Sequence, residues 1–277
     1  MFLKNFFLYL LIFFPMFSSA NVIYLDSHQR NTDYDKYDID ELEHDCNKGN
    51  VKAKYLLALH KIHDDQKKED GVHALEELAA SDFIDAKYSL YVISKWVNVN
   101  DLTPDKALHY LIEAAEENYP LAQVDLAKAY NRGDNLKRDL YLYHYWAEKA
   151  AEQGNVDALA YTASDYYAGR GVTKDEKKGF EWLMRAYKVS GRNFTRWSML
   201  GDAYENGLGT PIDLAKAYMC YDLDGTAGIE DKARIAPRMT PEQRSEGLRL
   251  SQEWQEKNHV YTMQSLGLTR QKDGSYQ

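Results

Sequence analysis

Reactive residue types are sparse in this chain, and none of them completes a catalytic pattern. His60 and His63 stand three apart with Asp64 beside them, a spacing that puts both imidazoles on one helix face. A zinc-type site needs three or four ligands and partners that orient them. The neighbouring sequence supplies neither, so a solvated helix end is the expected role. Glu43-His44-Asp45-Cys46 mixes metal- and proton-handling types, but adjacent residues point in different directions on a helix. Cys46 takes the small-residue place that Ala151 holds further along, which makes packing the better account. Gly169-Arg170-Gly171 and Gly207-Leu208-Gly209 follow no strand, so both read as turn chemistry rather than a phosphate cradle. Tyr141, Tyr143, Tyr145 and Trp146 form an aromatic run, read as packing between units rather than a ligand box. Asn193-Phe194-Thr195 is a glycosylation sequon, relevant only in a eukaryotic secretory route. No serine elbow, paired-carboxylate signature or phosphate loop occurs. The expectation is a protein without catalytic residues, cofactor or metal.

Composition narrows the class. Of 277 residues 13% are aromatic, with 22 Tyr and only 6 Pro, which is not the profile of a disordered chain. A net charge of −9, from 34 basic and 43 acidic residues, argues against nucleic acid as a general partner. Two cysteines make no disulfide framework. In a stacked array Cys46 and Cys220 would lie about 30–40 Å apart. A disulfide needs Cα atoms within about 7 Å, so two unpaired thiols are expected.

The N-terminus reads as a leader. Lys4 precedes an apolar run from Phe6 to Phe17, broken only by Pro15, and Ser18-Ser19-Ala20 supplies a small-residue cleavage pattern. The run is short for a bilayer span, so cleavage after Ala20 is favoured over an uncleaved anchor. No cysteine marks a lipoprotein cleavage point, and no later segment reads as membrane-spanning. The mature chain is expected in the periplasm or secreted, opening with a polar segment over 21–37.

Internal repetition governs the rest. Small residues opening successive first helices fall at Ala53, Ala86, Ala122 and Ala158, with Arg196 at the fifth equivalent place. The matching places in the second helices are Ala74, Ala107, Tyr143, Gly179 and Ala217. Both series have gaps of 33, 36, 36 and 38 residues. Asp70, Thr103, Asp139, Asp175 and Asp213 stand four residues before each second anchor, where a side-chain oxygen can cap the helix. Tyr130, Tyr166 and Tyr204 each lead into a glycine turn. Trp146 and Trp182 share a register and are expected to be buried.

These motifs resemble the Sel1-like repeat. Ala122, Leu126, Tyr130 and Gly133 fit its first helix and turn, followed by Asp139, Trp146 and Ala150-Ala151-Glu152-Gln153-Gly154. Leu200-Gly201, Tyr204, Gly207, Gly209, Asp213 and Ala217 fit again. The likeness covers 49–223 and is strongest in the last three repeats; Lys61 and Ser94 hold the tyrosine place in the first two. It implies an all-α, right-handed α-solenoid of five imperfect αα-hairpin repeats over 53–228. A capping helix over 38–52 and capping helices over 229–267 close its ends, with a disordered tail at 268–277. Thr240-Pro241-Glu242-Gln243 reads as the capping box of the closing helix, which runs through Leu248 and Trp254.

The same resemblance places a binding groove on the first helices. The groove-facing places carried over are Tyr88, Val92, Lys95 and Trp96; Val124, Lys128, Asn131 and Arg132; Ser164 and Tyr167; and Ser198, Asp202 and Glu205. They run from aromatic and basic at one end to acidic at the other. The implied function is a non-catalytic scaffold or adaptor of the bacterial cell envelope, binding a protein or extended peptide, with an acidic segment suited to the basic end. An immunity-type protein neutralising a delivered toxin, and a eukaryotic lumenal adaptor, stay open beside it. A Sel1-like enzyme acting on β-lactams or cell-wall material is disfavoured, since the cysteine-rich group carries a cysteine pair in each repeat. Export has a direct check: intact-mass measurement of the periplasmic protein should show a chain starting at Asn21, and a cytosolic full-length product would refute it.

Overall fold

The computed structural model describes residues 38–64 and 66–268. The leader at 1–20, the segment 21–37 and residues 269–277 of the tail lie outside the described residues. The described residues form α1 (Ile39–Asn47), α2 (Val51–Ile62), α3 (Lys68–Ala80), α4 (Ile84–Ile93), α5 (Pro104–Glu116), α6 (Pro120–Arg132) and α7 (Leu140–Glu152). They continue with α8 (Val156–Ala168), α9 (Glu176–Ser190), α10 (Trp197–Asn206), α11 (Leu214–Leu223), α12 (Ile229–Ile235) and α13 (Pro241–Asn258). No strand occurs among them. From α1 to α12 each helix packs on the next in sequence, and α13 returns against α11. The five hairpins α2–α3 to α10–α11 therefore stack as an α-solenoid, closed by α1 at one end and by α12 and α13 at the other.

Each hairpin is made by its end chemistry. The side chains of Asp139, Asp175 and Asp213 accept backbone N–H bonds from Leu142, Lys178 and Lys216, all at 3.0 Å. Thr103 caps α5 in the same way through Lys106 N–H at 3.3 Å. The cap residues' own N–H groups reach back to Tyr130, Tyr166 and Tyr204 carbonyls at 3.0, 2.9 and 2.8 Å, closing three matching loops. Between hairpins, Gly49, Asp82, Asn118 and Gly154 take left-handed backbone. In each case that residue and the next donate to carbonyls of the helix just ended, a Schellman closure that turns the chain in two residues.

The second glycine of each loop holds neighbouring repeats together. A Cβ on Gly171 would lie 1.9 Å from the Leu140 carbonyl oxygen, and one on Gly209 would lie 2.1 Å from that of Glu176. Each loop thus rests directly on the first turn of the preceding hairpin's second helix. Asn135, the third equivalent, adopts left-handed backbone with φ of 52°.

Two registers differ from expectation. Asp70 is not a cap: α3 begins at Lys68, with Lys67 at the cap position and no capping side chain. Gly71 rather than Ala74 is the anchor, since its Cα lies so close to α2 that a Cβ would meet the Ala58 carbonyl at 2.7 Å. The second helices then repeat with an even spacing until α11, and the shortening in the first repeat falls in the α2–α3 turn. At the other end α9 runs on to Ser190 and a 3₁₀ turn over Gly191–Asn193 follows. Arg196 accordingly sits at the N-cap of α10 instead of inside it. Trp182 is half-buried rather than buried: it packs against the edge of the core beneath the Arg185 guanidinium, 4.2 Å from its ring.

The core is small-residue packing at the crossings, with Ala86, Ala122, Ala158 and Leu90, Leu126, Leu159 fully enclosed. Thr240 and Gln243 form the reciprocal capping box that starts α13. Trp254 then sets its edge against Trp197, ring centroids 4.9 Å apart, and donates to Tyr187 Oη at 3.0 Å. Cys46 is half-buried and Cys220 buried, both as free thiols.

A matched pair of substitutions isolates the inter-repeat contact. At Gly154 a Cβ would meet nothing within 4 Å, so Gly154→Ala should cost only the left-handed penalty of about 1–2 kcal/mol. Gly209→Ala should cost about 1–3 kcal/mol more, from overpacking against backbone. Equal losses in denaturant melts would show that the loop does not carry the stacking.

Candidate functional site

Among the residues carried over as groove-facing, the structure brings Lys95, Lys128 and Arg132 together. They line a cavity of about 400 Å³ between the ends of α4 and α6 and the start of α5, with Tyr91, Asp125 and Asp134. Asp125 is its hub: Lys128 Nζ lies 3.2 Å away, Lys95 Nζ 3.9 Å away, and Tyr88 Oη donates at 3.0 Å. Arg132 faces Asp134 at 3.7 Å. Lys95 also lies over the Tyr91 ring at 4.1 Å. Burial, reinforced by Asp125 and Asp134, pushes the Tyr91 phenol up to about 12. The cavity presents three cations against two carboxylates, so its positive field is local and modest. Asn131 adjoins it, its carbonyl accepting from Arg138 Nε at 3.0 Å.

The remaining groove residues do not form one surface. Tyr88 and Val124 are buried. Val92 packs half-buried against the core of α4–α6. Trp96 is 56% exposed but stacks on His63 at 5.6 Å, toward the first hairpin and outside the basic cavity. Tyr167 presses on Gly179, and Ser164 and Ser198 are half-buried.

Glu205 is corrected most sharply. It is 1% exposed and accepts from Tyr221 Oη at 2.8 Å and from Arg238 at 2.5 Å, with Arg234 on the same oxygen. Burial would raise its carboxyl, but the hydrogen bonds from Arg234, Tyr221 and Arg238 outweigh that and hold it below the ordinary carboxylate range. Asp202 stays exposed and takes a second contact from Tyr221 Oη at 2.7 Å. The acidic end of the expected gradient is therefore a lock between α10 and the α12 cap.

A second cavity, of about 630 Å³, opens between α7 and the loop after α8, lined by Tyr141, His144, Tyr145, Glu148, Tyr166 and residues of the glycine turn. Behind it Asp165, fully enclosed, accepts from Arg170 Nε at 2.7 Å and faces His144 Nδ1 at 3.3 Å. Arg170 reaches on to Tyr143 Oη at 2.5 Å. The aromatic run is thus divided: Tyr143 and Trp146 pack inward, whereas Tyr141 and Tyr145 are 68% and 41% exposed at the cavity. Sequence reasoning passed over His144, Glu148 and Asp165. The signal lay in the repeat register, where neighbouring hairpins hold Leu108 and Phe180, Ile112 and Met184, and Ala129 and Ala203.

Stacked helical hairpins with cavities along the stack define an α-solenoid. The Sel1 repeat family model matches residues 100–119, 120–155, 156–188 and 198–223, so the chain carries Sel1 repeats over these segments. As a class such repeats serve as protein-interaction scaffolds. The crystal structure of c5321, a protective antigen present in uropathogenic Escherichia coli strains and displaying an SLR fold, superposes with a TM-score of 0.63 at 20% identity. That match covers 89% of this chain and 58% of c5321. A Sel1 repeat protein from Oxalobacter formigenes superposes with a TM-score of 0.55 at 18% identity, over 80% of this chain and 99% of that one. NMB1327, an uncharacterized protein of Neisseria meningitidis serogroup B, is 32% identical over 83 residues, 30% of this chain and 18% of its own length. The chain thus spans under two thirds of c5321 and under a fifth of NMB1327.

The Glu205 lock has a pH signature. Its carboxyl titrates lower in the fold than in the unfolded chain, so the stabilisation is present above the unfolded value of about 4.3. It is lost as pH falls through the lower folded value. Hydrogen exchange in α12 should accelerate in that acid window, ahead of α4–α8. Glu205→Gln should remove the step and cost about 1–3 kcal/mol. An α12 that exchanges identically in both proteins would overturn the assignment.

Proposed function

We propose that this protein is a non-catalytic scaffold of the bacterial cell envelope that binds an extended segment of another protein. The observation that carries this reading is the convergence of Lys95, Lys128 and Arg132, contributed by two successive hairpins, on one cavity. A site built across a repeat boundary reads more than one residue of a partner, which suits an extended peptide better than a compact ligand. An acidic residue of that peptide would displace Asp125 or Asp134 from their cations, exchanging one ion pair for another. Such exchange gives specificity and steering more than raw affinity. Placement in the envelope rests on the leader-like 1–20 sequence.

The experiment starts with a pull-down from native envelope and continues with binding kinetics on the recovered partner at two salt concentrations. Lys128→Glu with Arg132→Glu should slow association and flatten its salt dependence. Trp96→Ala, outside the cavity, should leave association unchanged. Unaltered rates in the charge-reversal protein, with circular dichroism intact, would move the site away from α4–α6.

A further inference from the structure

The cavity beside α7 shares no residue with the basic one and makes the opposite chemical demand. The His144 side chain is 7% exposed. Asp165 offers only acceptors, so the imidazole turns Nδ1–H toward it at 3.3 Å. In the neutral imidazole this leaves Nε2 as an acceptor, and Nε2 makes no hydrogen bond among the described residues. Another acceptor, Glu148 Oε2, lies 3.9 Å from it. The second Glu148 oxygen is held by Tyr166 Oη at 2.8 Å. Two buried-side acceptors thus stand together, each fixed from behind, at the wall of an aromatic cavity.

We propose that this cavity is a binding site for an organic cation, a primary ammonium or guanidinium group. A cationic N–H donor placed between Nε2 and Oε2 satisfies both acceptors at once. Tyr141, Tyr145 and Tyr166 line the cavity around it, and aromatic rings attract such a charge. The cations already nearby do not reach the two acceptors. Lys149 pairs with Glu152 and Arg170 is bound to Asp165 and Tyr143; Lys149 and Lys178 each cover one face of Tyr145 and Tyr166, at 5.9 and 5.3 Å, and leave Tyr141 uncovered by any cation among the described residues. The repeat register shows that the arrangement exceeds what stacking requires. His144, Glu148 and Asp165 occupy places that are apolar in both adjacent hairpins, whereas Tyr141 and Tyr145 replace Asp105 and His109 before them and Lys177 and Glu181 after. One step of the solenoid has therefore exchanged its packing residues for acceptors and its surface charges for aromatics.

Titration of the mature chain carrying ¹⁵N-histidine tests this, with acetyl-Gly-Lys-Gly-amide and butylammonium as probes. The norleucine tripeptide serves as the uncharged match. The lysine peptide should shift the His144 Nε2 resonance saturably, and the norleucine peptide should not. Glu148→Gln should weaken binding at least about tenfold. Tyr141→Ala, at a 68% exposed position, should weaken it several-fold while leaving the fold intact, which decides the matter if the glutamine variant misfolds. Tighter binding of the peptide than of butylammonium assigns the cation to a polypeptide side chain, and equal binding assigns it to a free amine. Equal shifts with norleucine, no shift with either cation at millimolar concentration, or an imidazole protonated on both nitrogens and bridging Asp165 to Glu148 at neutral pH would overturn the proposal.

Discussion

The stack depends on a backbone-to-backbone approach that leaves no room for a side chain. Gly171 against the Leu140 carbonyl and Gly209 against that of Glu176 set the distance between successive hairpins. A single hairpin cannot bury its own apolar face, so stability resides in these steps rather than in the units. The loop that makes the contact is itself fixed by the Asp cap and by the cap's N–H reaching the tyrosine carbonyl. Cap, turn and stacking are thus one device. Inside the first hairpin, whose α2–α3 turn is shorter, Gly71 seats α3 directly against α2.

This repetition was legible because it is local chemistry. An Asp four residues before an anchor and a Gly three after a Tyr declare caps and turns without reference to the rest of the chain. What the periodicity hid was where residues were lost or gained. A gap of 33 residues satisfied both registers on paper, yet the missing residues lie in one turn, so Lys67 holds the cap place that Asp70 was expected to hold. Side-chain direction was the other loss. Glu205 and Tyr88 carry polar ends that suggest solvent, but each end meets a partner inside the stack, Arg234 and Arg238 for one and Asp125 for the other. A groove assigned by position alone cannot distinguish a charge facing solvent from one locking two helices.

The departures from the repeat are where function separates from architecture. Buried polar groups cost stability unless they are satisfied. The cap lock at Glu205 is satisfied completely, by Tyr221, Arg234 and Arg238, and so belongs to the fold. Asp165 is likewise satisfied, by Arg170 and His144. Thr162 Oγ1 and His144 Nε2 stay unsatisfied among the described residues, the first inside α8 and the second on a residue that lines the cavity. A network complete on its inner side and incomplete on its outer side orients its last member toward a ligand.

The chain carries −9 overall, yet the basic cavity sets three cations against two carboxylates, and the cavity beside α7 is lined by one carboxylate, Glu148. At an ionic strength of about 0.15 M the bulk field is screened within about 8 Å, so a partner experiences each cavity separately. In the basic cavity every cation already has a carboxylate neighbour, and a ligand must exchange one pair for another. In the His144 cavity two acceptors adjoin with no donor between them among the described residues, and a cation adds contacts without displacing any. Exchange favours selectivity at modest affinity; addition favours affinity. Of the two, the cavity beside α7 is therefore the one from which the stronger anchoring contact follows.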